Sequence, residues 1–373
     1  METYRVGMIG VGRKGTQHAR AYDLNPRAEI AAAADPDPEN LELFRGRYDV
    51  PCYADYGEML AREGLDIAAP ILPVRPNPEV VIACAEAGVR AVLCEKPLAV
   101  SLEEADRMVE ACRARRVRFG AGDLDRNLPA FATARQRLDQ GAIGALRSIT
   151  FHGGSGGEIS GGGCQILSLM RMFAGEAEAA WAIGWMADDP WSDHDQGAAG
   201  YVRFVTGLEA FIQRQPDSRG RGFEVAGERG VLRYTNEVLS LWVAPDSVET
   251  PGRDDLIEVE GLFPAGSVYG RRSSEYDDDG WRWPGDRNVA SVQALIEALD
   301  RGEDPGGSGD NGRKVLELAI ALRESHRRGH AAVQLPLADR GLRLYPHAGR
   351  MDNKKAQMGH DAYMAQVRAA TRE

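Results

Sequence analysis

The sequence predicts an α/β protein of two domains: a parallel sheet wound with helices, then a region rich in antiparallel strands. Three observations predict it. Between residues 4 and 122, short apolar strands alternate with helix-like stretches, as in a parallel sheet covered on both faces. After about residue 122, segments of alternating apolar and polar residues take over, which is the pattern of half-buried antiparallel strands. The length, 373 residues, exceeds one ordinary domain.

The first domain, 1–122, reads as strand 4–9, helix 14–24, strand 29–34, helix 39–48, strand 67–72, helix 79–87, strand 91–94, helix 102–115 and strand 117–121. Ser101 with Glu104 three residues on has capping-box spacing, so the fourth of these helices starts there. The second domain, 123–337, reads as helix 129–140, strand 145–152, a glycine-dense stretch 153–163 and helix 164–173. Strands follow at 179–186, 199–206, 208–215, 222–226, 230–235 and 238–243. Late helices at 289–300 and 313–328 flank a polar, glycine-rich linker, 302–312, and a short strand closes at 332–335. The final helix and strand are candidates to pack back on the first domain. Residues 338–373 form a polar extension, of which 351–373 is a candidate to cap a subunit or the cleft.

Charge and composition exclude several classes. The formal net charge is −11, which disfavours nucleic acid and anionic membrane surfaces as partners. The basic clusters at 113–118 and 323–328 fall late in helices, where positive charge suits the helix C-terminus. The five cysteines, Cys52, Cys84, Cys94, Cys112 and Cys164, are odd in number and lack metal-ligand spacing. Reduced thiols in a cytoplasmic protein are therefore expected. The chain enters a strand almost at once, so no signal peptide is expected. No apolar run approaches the ~20 residues needed to span a bilayer.

Gly10-Val11-Gly12-Arg13-Lys14-Gly15 is a full G-x-G-x-x-G between a strand and a helix. Its glycines allow a tight turn, close approach of a pyrophosphate, and close packing of helix on strand. The helix N-terminus adds unpaired amides and partial positive charge, with Arg13 and Lys14 beside it. Asp35 ends the second strand, twenty positions after Gly15. Its carboxylate can accept ribose hydroxyls and would repel a 2′-phosphate. A Rossmann domain binding NAD is expected; the nearby Arg13 and Arg27 leave NADP open.

The stretch from Ala87 to Ala99, with Glu95-Lys96-Pro97 at a strand end, resembles the glucose–fructose oxidoreductase/inositol dehydrogenase/MocA family. Leu72-Pro73 stands where that family usually has Thr-Pro, and Gly141-Ala142-Ile143-Gly144 resembles its lead into the second domain. Residues 317–337 resemble its closing helix and strand. The likeness covers roughly residues 4–337. It implies a Rossmann fold followed by an α/β domain with a large, mostly antiparallel open sheet. That sheet often joins subunits in relatives, so a homodimer or homotetramer is implied. The implied activity is hydride transfer between NAD and a secondary alcohol or ketone of a sugar, cyclitol or related polyol. Lys96 would relay the proton, since a desolvated ammonium loses proton affinity. Glu95 would orient it or sit near the cofactor, and Leu72 and Pro73 would line the cofactor.

The chain departs from the family at the second motif. Relatives carry Asp and, four residues on, His in the helix that follows the glycine run. Counting from Gly161-Gly162-Gly163, those positions hold Leu167 and Arg171; one residue of slip gives Ser168 and Met172. Asn77 stands where relatives have a further His. Arg171 cannot act as a neutral base. It either binds an anionic substrate group, stabilises an oxyanion as a catalytic residue, or lies on a solvated or subunit-facing side, with Gln165 and Ser168 as neighbouring hydrogen-bonding groups. His152 and His194 are candidates to compensate, the first catalytic and the second substrate-contacting. Arg126, with Asp123 and Asn127, is a candidate for a substrate contact or a domain–domain salt bridge. His18 reads as structural. Asp193, His194 and Asp195 do not suit one ion, because successive extended residues point apart, so no metal is expected. The missing Asp and His keep two alternatives in view: a non-redox, NAD-assisted lyase, epimerase or glycosidase, and a dinucleotide-binding regulatory protein.

Overall fold

The computed structural model describes residues 2–122, 124–152, 157–213, 222–269, 286–352 and 354–372. Asp123, part of the glycine-dense stretch (153–156) and the end of the expected strand 208–215 lie outside them. The chain forms two compact units. Met1–Leu124, Tyr276–Lys314 and Tyr345–Glu373 make the first; Asp125–Glu275 and Val315–Leu344 make the second.

In the first unit, β1 (Tyr4–Ile9), β2 (Ala28–Ala34), β3 (Cys52–Tyr53), β4 (Ile67–Pro70), β5 (Ala91–Cys94) and β6 (Arg118–Ala121) form an all-parallel sheet of order β3-β2-β1-β4-β5-β6. Ile9 pairs with Ala34 on one side and Pro70 on the other, so three carboxyl ends meet where the strand order reverses. That reversal is where ligands bind in open α/β sheets. The helices are α1 (Arg13–Asp23), α2 (Pro38–Tyr48), α3 (Tyr56–Arg62), α4 (Asn77–Glu86) and α5 (Leu102–Ala114). Asp37 caps α2, and the Ser101–Glu104 capping box starts α5 as its spacing predicts. The pair β3 and α3 escaped sequence reading because two-residue and two-turn elements carry almost no periodicity.

The second unit holds α6 (Pro129–Asp139), β7 (Leu146–His152), α7 (Cys164–Phe173), β8 (Ala179–Met186), β9 (Ala198–Phe204), β10 (Glu209–Ile212), β11 (Gly222–Gly227), β12 (Gly230–Thr235), β13 (Val238–Val243) and β14 (Ile257–Glu258). Its sheet runs β14-β13-β12-β11-β7-β10-β9-β8-β15, where β15 is Val333–Gln334. Only the pair β10 and β7 is parallel. Phe131, Phe151, Phe173, Phe223 and Tyr234 pack in its core, with neighbouring centroids 5.2–6.0 Å apart.

The late elements divide differently from expectation. Helix α8 (Arg287–Arg301) packs on α1, and its Val292, Leu295 and Ile296 join Val6 and Met8 in the core of the first unit. The closing strand does not pack there: β15 pairs antiparallel with β8 in the second sheet. Helix α9 (Gly309–Arg327) begins inside the expected linker. The glycines misled, because one of them serves close packing: a Cβ on Gly309 would lie 2.0 Å from the Phe119 ring. The expected polar extension forms three helices, α10 (Ala348–Met351), α11 (Lys354–Met358) and α12 (His360–Arg372). Tyr363, Met364 and Val367 give α12 an apolar stripe that packs with Leu43 of α2.

Candidate functional site

The glycine turn is shaped by contacts that exclude side chains. Gly10 has φ +83°, and a Cβ there would lie 2.7 Å from the carbonyl oxygen of Ile71 and from Leu72 Cδ2. A Cβ on Gly15 would lie 1.8 Å from the carbonyl oxygen of Gly10. Gly12 opens α1 with no side-chain cap and no acid in the first turn, so the amides there can serve an anion. Arg13, Lys14, Leu72 and Pro73 are half-buried around it.

Asp35 braces this turn. One carboxylate oxygen accepts from the Val11 amide at 2.8 Å and from Asn40 Nδ2 at 3.3 Å; the other accepts from the Asp37 amide at 2.8 Å. Burial pushes its carboxyl up in pKa, and these bonds oppose the shift. A carboxylate offers about four acceptor sites. Three being taken, one is left for a ribose hydroxyl.

The Glu-Lys-Pro turn follows β5, and the Lys96–Pro97 peptide is cis. Asn77, fully buried at the start of α4, donates from Nδ2 toward the carbonyls of Glu95, Pro97 and Leu98 at 3.3–3.5 Å. Gly122, with φ +76°, leaves room for the Lys96 stem: a Cβ there would lie 2.6 Å from Lys96 Cγ. Glu95 is buried, with Oε2 3.5 Å from Nε2 of the buried His18. Burial raises the Glu95 carboxyl, but the adjacent His18 imidazole and the charges of Lys96 and Lys14 outweigh it. The carboxyl is held well below its usual range. His18, read from sequence as structural, and Asn77, read as standing in place of a histidine, both lie against this turn. The signal for His18 was its spacing: four residues after Lys14, it shares that face of α1.

In the second unit, four of the five expected substrate-binding residues make contacts at α7, and two of them, Arg126 and Arg171, share one partly exposed carboxylate. Gln165 Oε1 accepts the Asp125 amide at 2.8 Å. Arg126 Nη1 lies 3.4 Å from both the Ser168 carbonyl and its hydroxyl. Arg126 and Arg171 both bind Glu176, the latter at 3.4 Å. Their side chains are 5% and 3% exposed. Burial pushes the Arg126 pKa down, and Glu176 opposes the shift. Arg171 is thus not on a solvated side of α7, and Arg126 takes its salt bridge within its own unit. Leu167, at the family's Asp position, is fully buried.

His152 and His194 are exposed and separate. His152 Nδ1 lies 3.2 Å from Gln213 Oε1, and the His194 amide donates to Ser192 Oγ at 3.1 Å. The flanking acids diverge. Asp193 pairs with Arg323 and Arg327, both at 3.0 Å, while buried Asp195 accepts from Ile159, Ser160 and Gly161 amides at 2.9–3.1 Å. Asp195 therefore fixes the turn entering α7, a role no motif announces. Among the described residues, no group of three or more His, Cys, Asp or Glu is placed to hold a metal, and no helix is long and apolar enough to cross a membrane.

A parallel sheet of order β3-β2-β1-β4-β5-β6, with its glycine turn at the switch point and an acid at the end of β2, defines a dinucleotide-binding Rossmann protein. Residues 4–123 match the family described as "Oxidoreductase family, NAD-binding Rossmann fold". Over these residues the chain is similar to the glucose–fructose oxidoreductase/inositol dehydrogenase/MocA family of NAD-binding oxidoreductases. It is 26% identical over 348 residues to the myo-inositol 2-dehydrogenase of Thermotoga maritima, covering 86% of this chain and 96% of that one. It is 31% identical over 140 residues to an uncharacterized oxidoreductase of Streptococcus pneumoniae, where the match spans only 38% of this chain and 37% of the relative. In fold it is similar to the WlbA dehydrogenase of Bordetella pertussis, solved with NADH and UDP-GlcNAcA. That likeness has a TM-score of 0.70 and 20% identity over 90% of this chain and 99% of that one.

Proposed function

We propose that this chain is an NAD-dependent dehydrogenase that interconverts a secondary alcohol and a ketone of a sugar, cyclitol or related polyol. The observation that carries the reading is the Glu95-Lys96-Pro97 turn, held by Asn77 and His18 in the same unit as the glycine turn. The names of relatives, such as myo-inositol 2-dehydrogenase, support the substrate class.

Gly10, Gly12, Arg13, Lys14 and Gly15 would hold the pyrophosphate, Asp35 the ribose, and Leu72, Pro73, Glu95 and Lys96 the nicotinamide half. The residues present fit: α1 opens without a side-chain cap, and Asp35 keeps an acceptor site. The carboxylate favours NAD over NADP. When bound, the nicotinamide supplies the hydride chemistry. Lys96 Nζ moves the proton on the substrate oxygen, and Glu95 keeps the ammonium oriented. Arg126 and Arg171 brace α7 through Glu176, while Gln165 and Ser168 on the same helix are kept as candidate substrate contacts. His152 and His194, both exposed, are left as candidates for the second acid–base group and a substrate contact.

The ring contacts of Trp181, Tyr201 and Phe211, on the sheet face opposite Gly184, Gly200 and α9, support homo-oligomer formation through that sheet. The free cysteines support a reducing, cytoplasmic compartment.

Nicotinamide absorbance during turnover of cyclitols and sugars tests the reading. Lys96→Ala should lower kcat by about 10²–10⁴-fold, the range for a lost general acid–base group, with the Kd for NADH less affected than kcat. An unchanged kcat would remove Lys96 from the mechanism.

A further inference from the structure

The tail, Tyr345–Glu373, belongs to the first unit and is tied down on both sides of β1. On the β4 side, the Arg350 carbonyl accepts from the Val74 amide at 2.8 Å, and Met351 and Tyr345 pack with Val74 and Val100. On the β2 side, Lys355 Nζ lies 2.6 Å from Asp37 Oδ2, and His360 Nε2 lies 3.4 Å from Glu39 Oε2. Helix α12 then packs on α1 and α2, with Tyr363, Met364 and Val367 buried beside Leu43.

This docking brings one side chain to the motif itself. A Cβ on Gly12 would lie 2.2 Å from the Tyr363 hydroxyl and 3.5 Å from Asn40 Nδ2. Gly12 is the second glycine of the motif, whose missing side chain lets a pyrophosphate approach the backbone. The space that glycine leaves is taken here by a phenol from the far end of the chain. Hydrogen-bonded oxygens come no closer than about 2.5 Å, so the hydroxyl and a phosphate oxygen exclude each other from that space. Asn40 also donates to Asp35 at 3.3 Å, so the hydroxyl stands beside the group that braces the expected ribose acceptor.

The hold is of a kind that a ligand can break. The Lys355–Asp37 and His360–Glu39 pairs are both partly exposed, and exposed pairs contribute little. The apolar contact of α12 with α2 is short, three side chains beside one leucine. A dinucleotide that binds the open turn and not the covered one shifts the population by that difference in affinity. The covered fraction in turn lowers the apparent affinity in proportion.

We propose that α12 is an autoinhibitory element: with Tyr363 over Gly12 the turn is closed to dinucleotides, and binding requires the tail to leave it. The inference rests on the NAD-binding reading above.

The test combines calorimetric Kd values for NADH with hydrogen–deuterium exchange of residues 360–372, both on the full chain. Lys355→Glu sets like charges together at Asp37 and leaves the glycine turn untouched, while Tyr363→Ala empties the space above Gly12. NADH should bind about fivefold more tightly to Lys355→Glu, the scale of one partly exposed ion pair. It should bind about a hundredfold more tightly to Tyr363→Ala, the scale of one large buried side chain. In the wild-type chain, saturating NADH should speed amide exchange in 360–372. Slower exchange would mean that the tail closes over bound cofactor, and unchanged exchange that the two coexist; either result overturns the proposal. So does NADH affinity that is unchanged or weaker in both variants. If Tyr363→Ala fails to fold, Lys355→Glu and the wild-type exchange decide. Binding of NADH by neither the wild-type chain nor the variants would overturn the NAD-binding reading itself, whereas wild-type binding with indifferent variants overturns only the autoinhibition.

Discussion

Glu176→Gln isolates the charge at the centre of the second unit's arginine network. The substitution keeps shape and removes the anion that Arg126 and Arg171 share. Both guanidiniums are nearly fully buried, so their desolvation persists in the variant without its compensation. Breaking a buried ion pair from one side costs about 3–5 kcal/mol. Here the carboxylate side chain is 45% exposed, so solvent already screens part of the interaction. A loss of about 1.5–3 kcal/mol is the discounted expectation. For a unit of this size that corresponds to a fall in Tm of roughly 3–12 °C. Tryptophan fluorescence suits the assay, since Trp181, Trp185, Trp191 and Trp242 all lie in this unit. A shift within about 0.5 kcal/mol of zero, the range of an ordinary surface change, would refute the structural role of the network. A stable variant with a raised KM would refute it further and return Arg171 to the substrate.

Two more outcomes follow from the first unit. Gly15→Ala should abolish measurable NADH binding and lower stability by more than about 1–3 kcal/mol, because the new Cβ meets the Gly10 carbonyl at 1.8 Å, and backbone cannot rotate away. A variant that binds NADH normally would show that the turn is shaped otherwise. Alkaline pH should also destabilise the fold. Burial pushes the Cys112 thiol and the Tyr48 phenol each up to about 12, from ordinary values of 9.0 and 10.0. Groups whose folded pKa is raised contribute full stability below their unfolded pKa and lose it as pH rises through the folded one. Urea midpoints should therefore fall as pH climbs from about 9 to about 12, and a flat or rising midpoint would contradict this.

The fold and the cofactor half of the site were legible because both are local. The strand–turn–helix around Gly10 to Gly15, Asp35 at a strand end, and the Glu95-Lys96-Pro97 turn each declare themselves within a few residues. The neighbours that hold them were not. Asn77 reads as a missing histidine until folding brings it to the carbonyls of Glu95, Pro97 and Leu98. Glu176 carries no motif at all, yet it determines what Arg126 and Arg171 do.

The sequence by itself determined the secondary structure of the long elements other than α12, the parallel sheet and the phosphate turn, since periodicity, caps and glycine spacing act between near neighbours. Tertiary structure alone decided which charges are neutralised, where β15 pairs, and that Lys355 reaches Asp37 across more than three hundred residues of chain. The physical reason is range. A buried ion pair or a shared carboxylate depends on desolvation by distant parts of the chain, and nothing in the local order of residues encodes which parts those will be.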